Sequence, residues 1–241
     1  MEGFRSILAA CLCAASCTVG AAELVTNGGF ETGDLSNWTV SGAPTIGGCQ
    51  INWLIGNTGD VATCIGNAGN PVDGTYAVYN SFDGGGPLSY QLRQTVVLPA
   101  GAMSAATLSW QDTFFYTPYG PAERLLKVNI LNADGSSVIA NAYTYAAPVG
   151  GADPGWLTRT VDLKSILAPL AGQTITLEFE VVIPESFTGP AGMGLDSVSL
   201  DVTAAAPSPV AVPTLTEWGL IGLAFVMGLA ATVRRRRNIW R

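Results

Sequence analysis

From Thr174 to Ile183 the chain alternates with a period of two. Ile175, Leu177, Phe179, Val181 and Ile183 stand between Thr174, Thr176, Glu178, Glu180 and Val182. Successive side chains of an extended strand point to opposite faces, so this pattern is a strand with one face in a core and the other in water. Leu126, Val128 and Ile130 repeat it and run into Asn132-Ala133-Asp134-Gly135, a hairpin turn that returns through Ser137-Val138-Ile139. Leu108 and Trp110 form another inward pair. Gln94 to Leu98, stopped by Pro99-Ala100-Gly101, is a further strand, and Asp73-Gly74 precedes one at Tyr76 to Tyr79. Seven or more short strands in the middle of the chain predict an all-β fold, one antiparallel sandwich.

Composition agrees. Charged residues make up 12% of the 241, while Gly (29) and Pro (14) are abundant, a balance suited to short strands and tight turns. Between Leu24 and Val212 five basic residues face fifteen acidic ones, a net charge of −10. Such a domain repels nucleic acid and anionic lipid, and it suits calcium. The chain has no histidine. That removes the commonest general base, the Ser-His-Asp and Cys-His arrangements and nearly all catalytic zinc sites, so a non-catalytic protein is expected.

The two ends differ from the middle. Residues 1–22 carry a lone Arg5, an apolar run from Ile7 to Val19 and small residues at Gly20, Ala21 and Ala22, the three regions of a secretory signal cleaved near Ala22. Leu8-Ala9-Ala10-Cys11 also matches a lipoprotein signal, but too little apolar chain precedes it. At the other end no charge occurs between Trp218 and Val233, and the stretch from Pro213 is long enough, at about 1.5 Å per residue, for one hydrocarbon core. Arg234, Arg235, Arg236 and Arg237 would stay cytoplasmic, with Trp218 at the opposite interface and Glu217 just outside it. The domain is thereby placed outside the cytoplasm, and a Pro/Ala-rich stalk over 204–212 joins it to this tail. The expected order is a signal at 1–22, a sandwich at 23–203, the stalk, and a tail at 213–241.

The tail adds a resemblance. Val212-Pro213-Thr214-Leu215-Thr216-Glu217-Trp218-Gly219, an apolar helix and a terminal arginine cluster closely resemble the IPTL-CTERM protein-sorting domain, a relative of PEP-CTERM, with Val212 in place of the usual Ile. The resemblance implies an exosortase-type membrane enzyme as partner in a Gram-negative bacterium. It also implies an inner-membrane precursor, cleavage near the motif, and transfer to the cell surface or extracellular matrix. A permanent single-pass anchor is the simpler alternative.

The middle of the chain also resembles a family. Asn27-Gly28-Gly29-Phe30-Glu31-Thr32-Gly33 with Trp38, then Asp73-Gly74-Thr75-Tyr76, Leu92 to Gly101, Trp156 before Thr160 to Leu163, and Gly194-Leu195-Asp196-Ser197-Val198 follow one another as in jelly-roll domains of the galactose-binding-like fold. Several carbohydrate-binding modules belong there. The resemblance implies a surface protein that binds polysaccharide, its partner an exopolysaccharide. A structural or adhesive protein without a small ligand is the second reading, and a glycan-active enzyme the third.

Individual residues carry expectations of their own. Asp196 shares strand parity with Val198, Leu200 and Val202, which would turn its carboxylate inward, where an unpaired charge is costly. The resemblance implies that a structural calcium ion answers it, held by Glu31 and Asp196 with carbonyls near Gly29 and Asp73, a set of hard oxygen donors. A frayed strand start bonded to loop amides is the alternative. Cys49 and Cys64 are the two cysteines outside the signal, and in an exported chain they are expected to form a disulfide worth roughly 3 kcal/mol. Trp53, in the loop between them, and Phe114, Phe115, Tyr116 and Tyr119, in an aromatic turn with Pro118 and Gly120, are candidate sugar-stacking rings. Trp38, Trp110 and Trp156 match core positions of the resembled family. Glu178 and Glu180 are expected on a solvated face.

Overall fold

A computed structural model describes residues 20–46, 49–59, 68–84, 86–116, 124–147, 155–184, 190–206 and 215–237, with the backbone alone at 115–116, 215–217 and 231–237. Met1–Ala205 form one compact unit, and Ala206–Arg241 a second.

The first unit is a sandwich of two antiparallel sheets. Its strands are β1 (Ala21–Glu23), β2 (Thr39–Gly42), β3 (Ile51–Gly56), β4 (Ala77–Phe82), β5 (Leu88–Val97), β6 (Met103–Tyr116), β7 (Arg124–Leu131), β8 (Val138–Ala147), β9 (Leu157–Asp162), β10 (Thr174–Ile183) and β11 (Ala191–Ala204). One sheet runs β3-β4-β11-β6-β9, with β1 added to β11. The other runs β2-β5-β10-β7-β8. Consecutive strands repeatedly land in opposite sheets, so the alternating apolar faces of both are driven together over one core. A short helix, α1 (Lys164–Leu167), follows β9 and seats Leu167 in that core.

The strand legible in the sequence, β10, lies at the centre of its sheet, and all five of its alternating apolar residues are buried. Leu126, Val128 and Ile130 on β7 are wholly buried beside them. The turn closes as expected, Gly135 N–H donating to Asn132 O at 2.9 Å. A chain of rings crosses the core: Phe30 to Trp38 at 5.6 Å, Trp38 to Phe179 at 6.4 Å, Phe179 to Trp110 at 5.6 Å and Trp110 to Tyr143 at 5.2 Å. Phe30, in a left-handed backbone conformation (φ 58°), and Trp38, whose Nε1–H donates to Asn27 O at 3.0 Å, plug the core from the first sequence phrase. Burial of each large ring contributes on the order of 2–3 kcal/mol.

The described residues reach both ends of the sandwich. Ala21 and Ala22, assigned to the signal, pair with Thr203 and Val202 as the start of β1. Backbone hydrogen bonding is indifferent to side chain, so two small residues extend the ladder at no steric cost. Of the second unit, residues 215–237 are described as α2 (Leu215–Arg237), with side chains given for 218–230; Leu220, Leu223, Phe225, Val226, Met227 and Leu229 are all exposed. Among the described residues no helix is long and apolar enough to cross a membrane. The expected span from Pro213 to Val233 extends beyond the described side chains, and Pro213 and Thr214 lie outside the described residues.

Candidate functional site

Asp196 is buried, but not for the reason its parity suggested. Ala191, Met193 and Leu195 belong to the core before it, and Val198, Leu200 and Val202 after it. The switch from odd to even positions is a bulge between Asp196 and Ser199, where Ser197 takes φ 52°. One extra residue flips the faces. Asp196 therefore lies opposite Gln111 on the outer side of its sheet, and the segment from Pro71 to Tyr76 folds over it until nothing is exposed.

That segment is pinned by two carboxylates. Asp196 Oδ2 accepts from Val72 N–H at 3.2 Å and Asp73 N–H at 3.3 Å, and its Oδ1 from Ser197 N–H at 2.6 Å. Glu31, itself exposed, accepts from Thr75 N–H and Tyr76 N–H at 2.9 Å. Gly74 makes the close approach feasible, since at φ 64° a β-carbon would stand 2.3 Å from Glu31 Cδ. Burial pushes the Asp196 carboxyl up to about 6 against the pull of its amide bonds, and the nearby Glu31 charge adds to the rise. Burial and the Asp196 charge also raise Tyr79, whose hydroxyl donates to Gly69 O at 2.9 Å.

Asp196 stands apart from the other buried acids. Asp112 receives Arg159 Nε–H at 3.0 Å, and Glu178 receives Arg93 Nε–H at 2.6 Å, whereas Asp196 has no cationic partner among the described residues. A cation held by Asp196 and Glu31 would supply that charge, and carboxylate oxygens are the donors calcium prefers. Two acidic side chains fall short of a cage: among the described residues no group of three or more metal-binding side chains occurs. Backbone carbonyls or water would have to complete it.

The second arrangement lies on the outer face of the other sheet. Ladder register puts Thr39, Arg93, Glu178, Asn129 and Asn141 in one row across all five strands. Arg93 bonds one Glu178 oxygen and Asn129 Nδ2–H the other at 2.9 Å; Asn141 donates to Asn129 Oδ1 at 2.9 Å, and Thr144 Oγ1–H to Asn141 Oδ1 at 2.9 Å. Glu178 is only 3% exposed, which corrects the expectation of a solvated carboxylate. Its row neighbours lie across it to reach its oxygens. Glu180, one row along, keeps partial exposure and meets Gln91 Nε2–H at 3.3 Å. Arg93, Asn129 and Asn141 were missed in the sequence, although the alternation of β5, β7 and β10 already put Arg93 and Asn129 on the wet face.

The aromatic candidates divide. Trp53 is a core residue, 3% exposed, because β3 turns it inward against the apolar cluster; it is no stacking platform, and the sequence expectation is corrected. Phe114 is likewise core, 4% exposed. Phe115 and Tyr116 close β6 with their side chains outside the described residues, and Tyr119 lies wholly outside them. Trp156 packs edge-on to Tyr79 at 6.4 Å, and its Nε1–H donates to Asn70 O at 2.8 Å. Cys49 is disulfide-bonded, and Cys64 lies outside the described residues.

Residues 210–237 match the IPTL-CTERM motif, so the chain carries an exported, surface-sorted protein's C-terminal signal. No curated protein matches the sequence. Among solved structures, the chain is similar to a carbohydrate-binding module, TmCBM61, in complex with β-1,4-galactotriose, at 20% identity over 74% of this chain and 97% of that one, TM-score 0.48. It is also similar to a Stig cyclase, Fisc, from Fischerella sp. TAU, at 17% identity over 77% and 100%, TM-score 0.48. A third is the K3 cleaved adhesin domain of Lys-gingipain from Porphyromonas gingivalis w83, at 19% identity over 76% and 100%, TM-score 0.46. These proteins differ in kind, and the likeness assigns no activity to this chain.

Proposed function

We propose that the chain is a non-catalytic surface protein of a Gram-negative bacterium that displays a polysaccharide-binding sandwich after processing by an exosortase-type enzyme. The observation that carries this reading is the sorting motif at 210–237 at the end of an exported β-domain. Before processing, the apolar helix tethers the precursor in the inner membrane by the span from Pro213 to Val233, with Arg234 to Arg237 held on the cytoplasmic side. A proline at this boundary disfavours helix, which would suit recognition of the adjoining chain by a protease in extended form.

Carbohydrate as ligand is supported by the polar rows on the outer face, where donors and acceptors are fixed by ladder register and charge is balanced internally. Phe115, Tyr116 and Tyr119 would add stacking surface at the end of β6. A structural calcium at Glu31 and Asp196 and a Cys49–Cys64 disulfide belong to the same reading, as fasteners of the loops around the sandwich. Absence of catalysis is supported by the lack of histidine and by the engagement of Asp112 and Glu178 in ion pairs.

The test is a glycan array probed with the full chain, together with mass spectrometry of the protein recovered from cells. Binding without hydrolysis and loss of the arginine cluster are expected. An intact Arg241 overturns the processing, and hydrolysis of any glycan overturns the non-catalytic assignment.

A further inference from the structure

Glu178 raises a question about what covers it. Leu177 and Phe179 on either side fill the core, so its carboxylate leaves the sheet on the outer side and is still 3% exposed. Part of the cover is the turn between β7 and β8, which leans over the face: Thr176 Oγ1–H donates to Ala133 O at 3.2 Å, and a β-carbon on Gly135 would lie 3.5 Å from Arg93 Nη1. Between turn and sheet lies a cleft of about 170 Å³, lined by Thr39, Arg93, Thr95 and Thr176 and by the turn at 133–135.

We propose that this cleft binds a single neutral sugar unit through hydrogen bonds to its hydroxyls. The inference deepens the polysaccharide-binding reading and rests on it.

Charge favours an uncharged ligand over an anion or a cation. Arg93 gives Nε and Nη2 to Glu178 at 2.6 and 2.5 Å, so the guanidinium is already neutralised while Nη1 remains beside the cleft. An anion would gain little from a paired cation and would enter a domain of net charge −10. A cation would find the single carboxylate of Asp134, whose Oδ1 already accepts from Ser136 N–H at 2.9 Å, next to the N–H groups of Arg93 Nη1. A neutral polyol gains from both kinds of partner, because the Thr39 hydroxyl donates and accepts, the Thr95 hydroxyl, bonded to Thr176 Oγ1 at 3.3 Å, still accepts, and Nη1 donates.

Size points the same way. At about 30 Å³ of liquid volume per water the cleft holds five or six waters, room for roughly one sugar ring and well below the 300 Å³ or more of a drug-sized pocket. Thr39 and Thr95 are exposed at its mouth, so a ligand enters by displacing surface water without unfolding anything. No aromatic ring lines the cleft, so a single unit binds weakly and retention on a polymer comes from repeated encounters along the chain.

The experiment is an NMR titration of the isotope-labelled full chain in detergent with galactose, glucose and mannose, and with glucuronate as the acidic counterpart. Amide shifts are expected at Thr39, Arg93, Thr95 and Gly135 with at least one neutral sugar. Thr39→Val with Thr95→Val removes two hydroxyls at exposed positions, and should weaken binding about tenfold or more while leaving the melting temperature in place. Shifts confined to residues 115–119, with the double variant binding as tightly as wild type, overturn the cleft and leave the polysaccharide reading standing. Absence of shifts with every sugar, together with a blank glycan array, overturns both. A stronger response to glucuronate than to the neutral sugars overturns the assignment of a neutral ligand.

Discussion

Glu178 and Asp196 are both buried carboxylates on the outer side of a sheet, yet their surroundings are opposite. Glu178 sits mid-strand in a regular ladder, and register delivers Arg93 from one neighbour and Asn129 from the other, one to each oxygen. Asp196 sits at a bulge, where the ladder is interrupted and backbone amides reach it, two from the covering loop at 3.2 and 3.3 Å and that of Ser197 at 2.6 Å. Burial costs each a hydration shell. A guanidinium offsets that cost at Glu178, whereas amide dipoles offset it only partly at Asp196, whose carboxyl rises to about 6 in consequence. The regular ladder makes a self-sufficient polar face; the bulge makes a site with no cationic partner among the described residues.

The sharpest way to break the comparison is to give Glu178 the predicament of Asp196. Arg93→Met leaves a buried, unpaired carboxylate and should cost about 3–5 kcal/mol in urea unfolding, while Glu178→Gln, which leaves a partly exposed Arg93, should cost clearly less. Next in size is the packing that buries Asp196. A β-carbon at Gly194 would stand 2.7 Å from Trp156 Cη2 and 2.9 Å from Tyr79 Cε1, so Gly194→Ala should lower stability by about 1–3 kcal/mol. The smallest effect belongs to Glu180. One row from Glu178 but partly exposed, its replacement by Gln should change stability by less than about 0.5 kcal/mol, and a larger loss would mean that the row around Glu178 extends further than its hydrogen bonds indicate.

Much of this is legible in the sequence itself. The period-two run of β10, the turn at Asn132 to Gly135 and the phrases around Phe30 and Trp38 each encode local geometry, and local geometry is what a sequence displays. What stayed hidden depends on strand partners. The burial of Glu178 follows from Arg93 and Asn129 standing opposite it, 85 and 49 residues away along the chain. Parity misled at Asp196 because an inserted residue at Ser197 is invisible to an alternation count. Trp53 is similar: a Gly- and Asn-rich setting suggested exposure, but β3 pairs with β4 and turns the ring inward. Tail signals were read directly, since a sorting motif is a linear feature.

If a bound cation does for Asp196 what Arg93 does for Glu178, one pair of stability curves reveals it. Without metal, the folded-state carboxyl near 6 lies above its ordinary value of 3.8, so the folded state binds the proton more tightly than the unfolded chain does. The stability this group confers is therefore full below about pH 4 and is lost as pH rises through about 6. Bound calcium keeps the carboxylate ionised and reverses the slope, so that stability falls on acidification through the same window. Urea unfolding of wild type at pH 5 and pH 7, each with calcium and with chelator and each referred to Asp196→Asn, reads this slope. Greater stability is expected at pH 5 with chelator and at pH 7 with calcium, by on the order of 1 kcal/mol, with no response to either in the variant. Superimposed curves with calcium and with chelator would contradict it, and would leave the amides of Val72, Asp73 and Ser197 as the whole of Asp196's compensation.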